Sequence, residues 1–248
     1  MCLATSYRPF IIILQEKKPR FKRPSKKHEP KGLSILFEDQ DIIVVSKTNG
    51  LLTVSTDREK DKTAHFLLND YVKKGNARSR NRVFIVHRLD RETSGILIFA
   101  KNEKVKRYLQ NEWGSFDKTY FAVVHGKLRE KEGMITSYLV ENKAHRMYSV
   151  KDAEKGKFSK TGYKVVKESS KFSLLEIYLF TGRKNQIRIH FSEKGHPVVG
   201  DKMYGQIDKG IKRLALHAAS LTILHPFTKE KMIFKTELPR YFKTLVNN

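Results

Sequence analysis

Val83-Phe84-Ile85-Val86-His87-Arg88-Leu89-Asp90-Arg91-Glu92-Thr93-Ser94-Gly95-Ile96-Leu97-Ile98-Phe99-Ala100 holds two apolar runs separated by a polar segment. Short runs of Val, Ile and Phe predict strands, and the polar segment between them predicts a loop. That loop presents one central carboxylate, Asp90, between Arg88 and Arg91. Loops held by rigid strands often carry reactive groups, and guanidinium groups bind phosphate. On spacing alone, a nucleophile offered to a nucleic acid and a solvated polar turn are equally good readings.

Outward from this loop the chain alternates between strand and helix signals. Ile42-Ile43-Val44-Val45 reads as a buried strand ending near Gly50. Ala64, Leu67, Leu68, Tyr71 and Val72 follow helical spacing, with Thr63 as cap and Gly75 as stop. Asn102 opens a second helix, whose apolar stripe of Val105, Tyr108, Leu109 and Trp113 is assigned to the core. Strands follow around 118–125, 134–140, 161–167 and 173–180, a short helix over 184–194, and strands near 216–223 and 231–235. Many strands, few helices and hairpin-length connections predict an α+β fold, with a large, mostly antiparallel mixed sheet and peripheral helices.

Charge narrows the choice of partner. The chain of 248 residues carries 50 Lys and Arg against 26 Asp and Glu, a net charge of +24. Such an excess favours a polyanion and salt-dependent binding. Residues 1–32 hold nine basic residues against Glu16 and Glu29, with four prolines, and are expected to form a flexible basic arm before a catalytic domain at 33–248. The one cysteine, Cys2, rules out an intramolecular disulfide and a multi-cysteine zinc site, and fits a cytoplasmic setting. Phe10-Ile11-Ile12-Ile13-Leu14 is too short to cross a membrane, and no membrane partner is expected.

The Asp90 segment resembles the catalytic motif of the RluA-type pseudouridine synthases, which isomerise uridine in ribosomal or transfer RNA. Further segments match that family in order: Lys118 to Gly126, Thr181 to His190, Gly195 to Asp201, and Leu216-His217-Ala218. The resemblance implies a catalytic cleft across the sheet, no cofactor, no metal and a monomer. It makes Asp90 the nucleophile, Arg183 the cation set against it, with a phosphate contact at the start of the following helix as the alternative, and Tyr120 the residue beside the target base, with a core strand aromatic as the alternative. A phenol is a poor base at neutral pH, so stacking and orientation suit Tyr120 better than proton removal. Arg88 is assigned to base flipping and Arg91 to the RNA backbone, with an ordinary surface phosphate contact as the alternative for each. Gln186 and Arg188 are expected to line the cleft or bind RNA, with Ile187 as an apolar wall. His87, His190 and His217 lack metal-ligand spacing and read as structural. Lys47-Thr48-Asn49-Gly50 departs from the family's usual Lys-Pro-Ala-Gly, Lys184-Asn185 departs from its Thr-His, and its small N-terminal RNA-binding module is not recognisable.

Two other readings stand beside this one. A noncatalytic RNA-binding or ribosome-assembly protein would need only the basic surface. Hydrolytic base removal would need a second carboxylate, and Glu92 is the nearest in sequence.

Overall fold

The computed structural model describes residues 29–57, 59–206, 210–211 and 213–247. The strands are β1 (Leu33–Glu38), β2 (Ile42–Lys47), β3 (Phe84–Ile85), β4 (Ser94–Ala100), β5 (Asp117–His125), β6 (Glu132–Glu141), β7 (Met147–Val150), β8 (Lys157–Glu168), β9 (Phe172–Leu179), β10 (Leu216–Leu224) and β11 (Lys231–Lys235). The helices are α1 (Ala64–Lys73), α2 (Glu103–Asn111), α3 (Gln186–Glu193) and α4 (Arg240–Asn247). The strands form one sheet in the order β1-β2-β4-β10-β5-β9-β8-β6-β7, with β3 on β4 and β11 on β10. All strand pairs are antiparallel except β4 with β10. The α+β class and mostly antiparallel mixed sheet are therefore as the sequence predicts.

Strand alternation decides which helix covers which face. On β2 and β4, Ile43, Val45, Leu97 and Phe99 pack with Ala64, Leu68 and Val72 of α1. Their neighbours Ile42, Val44, Ile96 and Ile98 pack with Val105 and Leu109 of α2. On β5 and β9, Ala122, Val124, Leu175 and Ile177 meet Ile187 and Phe191 of α3. Val123 and Leu174 meet Phe242 and Val246 of α4 instead. Tyr120 packs against both the α1 and the α3 clusters and marks where they adjoin.

The predicted caps are present. Thr63 accepts a hydrogen bond from the Phe66 N–H, and Asn102 accepts one from the Val105 N–H. Gly75 stands just beyond α1 with φ +74°. Three elements had no matching expectation: β1, β7 and α4.

Trp113 is partly buried against the α2 core cluster, as its stripe predicts, but lies beyond the helix. The helix ends at Asn111, and Trp113 sits in a single 3-10 turn, Glu112–Gly114, at the rim of a cleft. Residues 1–28 of the expected arm lie outside the described residues. Its last residues join the fold: Glu29 Oε1 accepts from the Ile35 N–H at 2.9 Å, and Pro30 O accepts from the Leu33 N–H.

Gly95 is where the Asp90 loop enters the sheet. Its φ is +113°, and a Cβ there would lie 2.1 Å from the Ala218 carbonyl oxygen. Only glycine permits this approach of β4 to β10.

Candidate active site

A cleft of about 740 Å³ opens where the α1 and α3 clusters adjoin. Asp90, Arg88, Tyr120, Arg183, Ile187 and Arg188 all line it. The sheet thus gathers residues nearly a hundred positions apart.

The Asp90 loop is pinned from beneath. Thr53 Oγ1 donates to Leu89 O at 2.7 Å and accepts from the Leu89 N–H. The Thr93 N–H donates to Asp90 O, closing the turn. Lys47, 1% exposed, donates from Nζ to Thr48 O (3.0 Å), Leu51 O (2.8 Å) and Arg91 O (3.1 Å). Burial pulls the Lys47 pKa down to about 8, and the Glu92 and Asp90 carboxylates partly oppose that fall. Asn49 donates to Glu92 O, so the Asn-Gly turn that replaces the family's Pro-Ala-Gly is also tied to the loop.

The cation facing Asp90 is Arg188, which corrects the assignment of that pairing to Arg183. Arg188 Nη1 lies 3.2 Å from Asp90 Oδ2 and 3.1 Å from Asn185 Oδ1. Its Nε and Nη2 each donate at 2.7 Å to the two oxygens of Asp201. The Tyr204 ring lies 5.1 Å from its Cζ. Arg183 lines the same cleft, but its Nε donates to Phe158 O at 3.0 Å. The physical reason is position. Arg183 lies before the helix, whereas Arg188 lies within α3, whose packing on the sheet directs it into the cleft.

Asp201 is 1% exposed, and burial works against its ionisation. The Arg188 fork and the N–H groups of Tyr204 and Met203 outweigh burial and hold its pKa below the usual carboxylate range. Burial likewise opposes the Arg188 charge, yet Asp201 and then Asp90 raise its pKa. A buried Asp201–Arg188 pair therefore hands one remaining guanidinium edge to Asp90.

Tyr120 is driven well above the usual phenol pKa, first by burial and then by the Asp90 charge. A phenol so held is a neutral ring and an O–H donor, which agrees with an orienting role.

The other candidates divide. Arg88 is exposed and has no side-chain partner among the described residues. Arg91 pairs with Glu59 at 2.5 Å, on the protein surface. Ile187 is 4% exposed and belongs both to the core and to the cleft wall. Gln186 borders the cleft as expected, but its amide is spent within the protein: Oε1 accepts from Thr181 and from the Arg183 N–H, and Nε2 donates to Lys160 O and Thr161.

The histidines expected to be structural are held by bonds within the protein, and His87 also lines the cleft. His190 bonds Ser137, Ser159 and Thr161; His217 bonds Ser94 and Thr236. His87 accepts from the Ile98 N–H and stacks on Trp113 with centroids 4.2 Å apart. Glu92 is exposed and lies outside the cleft lining, so hydrolysis lacks the second carboxylate it was to supply. Among the described residues, no helix is long and apolar enough to cross a membrane.

Sequence reasoning missed Asp201 and Lys47. Both stood inside quoted segments, at the end of Gly195 to Asp201 and the start of Lys47 to Gly50. An acidic residue closing an apolar run was the available signal for Asp201.

Residues 41–193 match the family model described as RNA pseudouridylate synthase. The ribosomal large subunit pseudouridine synthase D of Borreliella burgdorferi is 32% identical, over 87% of this chain and 68% of that protein. The dual-specificity RNA pseudouridine synthase RluA of Vibrio vulnificus is 34% identical, over 77% of this chain and 78% of that protein. The solved structure of human RNA pseudouridylate synthase domain containing 1 superposes with a TM-score of 0.68 at 28% identity, covering 87% of this chain and 86% of that one. The chain belongs to the RluA-type RNA pseudouridine synthases, isomerases that modify RNA.

Proposed function

We propose that the protein isomerises specific uridines in structured RNA, ribosomal RNA foremost and transfer RNA as the alternative, with Asp90 as nucleophile and no cofactor. It works as a cytoplasmic monomer in this reading. The observation that carries it is the Asp90 carboxylate at the cleft, faced by Arg188 Nη1 at 3.2 Å. The net charge of +24 supports a polyanionic substrate. The ribosomal name of the Borreliella relative supports ribosomal RNA over transfer RNA.

The reaction is internally balanced. The bond from ribose C1′ to N1 breaks, the base rotates, and a bond from C1′ to C5 forms. The proton lost from C5 is matched by the one gained at N1, so no redox partner is needed. Asp90 assists either by attack at C1′ or by promoting elimination within the ribose; both use an ionised oxygen. Arg188 keeps that oxygen oriented without neutralising it by proton transfer. Tyr120 stacks on and orients the detached base. Arg88, exposed and unpartnered among the described residues, takes the space or phosphate left by the flipped nucleotide. Arg183 and Lys184 line the cleft and contact the flanking phosphates.

The test is pseudouridine mapping in total RNA with and without the gene, repeated with Asp90→Asn. Loss of particular pseudouridines in both strains is expected. Pseudouridine formation at an undiminished rate by purified Asp90→Asn would remove the nucleophile assignment, and release of free uracil would favour hydrolysis.

A further inference from the structure

The face of β6, β8 and β9 opposite α3 carries large apolar side chains that no described element covers. Phe180 and Met134 are each 48% exposed, Phe158 is 45% and Tyr178 is 38%. They form one patch rather than scattered residues. Met134, Gly162 and Tyr178 are register partners across three strands, as are Tyr138 and Phe158 across two. A Cβ on Gly162 would touch Phe180, Met134 and Tyr178, so the glycine leaves a shallow floor between them. Patches of this kind usually mark a binding surface.

Two further observations choose the occupant. Cations are interleaved with the rings: Lys160 Nζ lies 4.8 Å from the Phe180 centroid, and Lys164 is exposed on the same face of β8. Glu132 and Glu176 stand one row beyond Met134 and Tyr178 with Lys164 between them, and the Tyr178 hydroxyl donates to Glu176 Oε2 at 2.9 Å, which leaves the ring face itself open. The patch is also continuous with the cleft. Arg183 lines the cleft and donates to Phe158 O, and Gly182, also in the cleft lining, is two residues from Phe180. Rings with adjoining cations suit bases and phosphates together.

We infer that this face is a docking track for unpaired RNA flanking the modified nucleotide, with bases stacked on Phe180 and Tyr178 and phosphates held by Lys160 and Arg183. The inference rests on the RNA reading of the cleft and adds a second surface to it.

The experiment uses the full chain and a short oligouridylate of about ten nucleotides, a length within the usual range of single-strand sites. Trp113 is the only tryptophan and lines the cleft, so its emission reports RNA entering there. Anisotropy of a labelled oligouridylate reports total binding. The Phe180→Ser, Tyr178→Ser double variant alters exposed side chains and is expected to keep the parent melting temperature. Its affinity should fall about tenfold or more, the usual loss when a stacking ring is removed. Its salt dependence should match that of the parent, whereas Lys160→Ala should flatten it. Fully paired RNA should lose much less affinity than oligouridylate in the double variant.

Unchanged oligouridylate affinity in a folded double variant overturns the track, and so does an equal loss for paired RNA. Pseudouridine formation by the parent protein is scored separately. Its absence, with no Trp113 response, counts against the cleft reading alone, while the double variant still judges the outer face.

Discussion

Arg188 and Asp90 meet at 3.2 Å only because Arg188 is already fixed by two 2.7 Å bonds to buried Asp201. The two carboxylates therefore differ in kind. Asp201 is inaccessible and stabilises the fold, whereas the Asp90 side chain keeps 34% of its surface open to the cleft. Removing the shared cation should expose this difference. Arg188→Met leaves Asp201 buried without its partner and should cost about 3–5 kcal/mol of stability. Asp90→Asn should change stability by less than about 1 kcal/mol, as for other partly exposed pairs. Urea unfolding of both variants measures the contrast, and equal losses would contradict it.

Arg183→Ala separates the two arginines of the same segment. It removes a cleft cation that bonds Phe158 O but leaves the Asp90–Arg188 contact intact. The expected result is a raised KM for RNA with a small change in kcat, whereas Arg188→Lys should lower kcat by about a hundredfold or more. Positioning losses of this size follow from displacement of about 1 Å. A kcat collapse in Arg183→Ala with little effect in Arg188→Lys would restore the original assignment.

Acid should weaken the fold before any carboxylate titrates. Burial pulls His190 and His217 down to about 4, and burial with nearby Lys118 pulls His87 down to about 3. These groups fold neutral. Their contribution is complete above the ordinary value of 6.5 and is lost as pH falls toward the folded values, because the unfolded chain binds more protons there. Urea midpoints should drop steadily from pH 7 to pH 5. His217→Asn should flatten that slope, even though its starting stability is lower.

Lys47→Met tests the clamp beneath the loop. Three carbonyls lose their ammonium donor, so a loss of at least about 2 kcal/mol is expected. The pH signature is distinctive. With a folded value of about 8 against 10.5, the unfolded chain binds more protons across that interval. The parent should therefore gain stability relative to Lys47→Met as pH rises from about 8 to 10.5; parallel curves would contradict the lowered Lys47 value, and an unchanged urea midpoint at pH 7 would contradict the clamp.

Much of this architecture was legible because period-two and helical patterns report burial directly. β4 could be read from Ile96 to Ala100, and α1 from Thr63 to Gly75. The short β7 and the C-terminal α4 were missed. In α4, Phe242 and Val246 are buried and Tyr241 and Leu245 pack beside them, a four-residue apolar stripe at helical spacing that was available in the sequence and was not read. At the site, Asp90 and Tyr120 were visible through their motifs. The choice between Arg183 and Arg188 was not, because it depends on how α3 is seated on the sheet. Trp113 was assigned to the core because its spacing continues the α2 stripe. It does pack there, against Phe116, but from a 3-10 turn beyond the helix, so the ring also borders the cleft.

The seam at Gly95 has a consequence for how the protein comes to exist. β4 and β5 are never neighbours; β10, encoded last of the three, is inserted between them. The half bearing Asp90 and the half bearing Tyr120 stay unzipped from each other until residues 216–224 have been synthesised and threaded into place. Such late, long-range closure makes folding slow and keeps any chain shortened before that point catalytically silent. The assembled cleft is thus withheld, by topology alone, until β10 has been made.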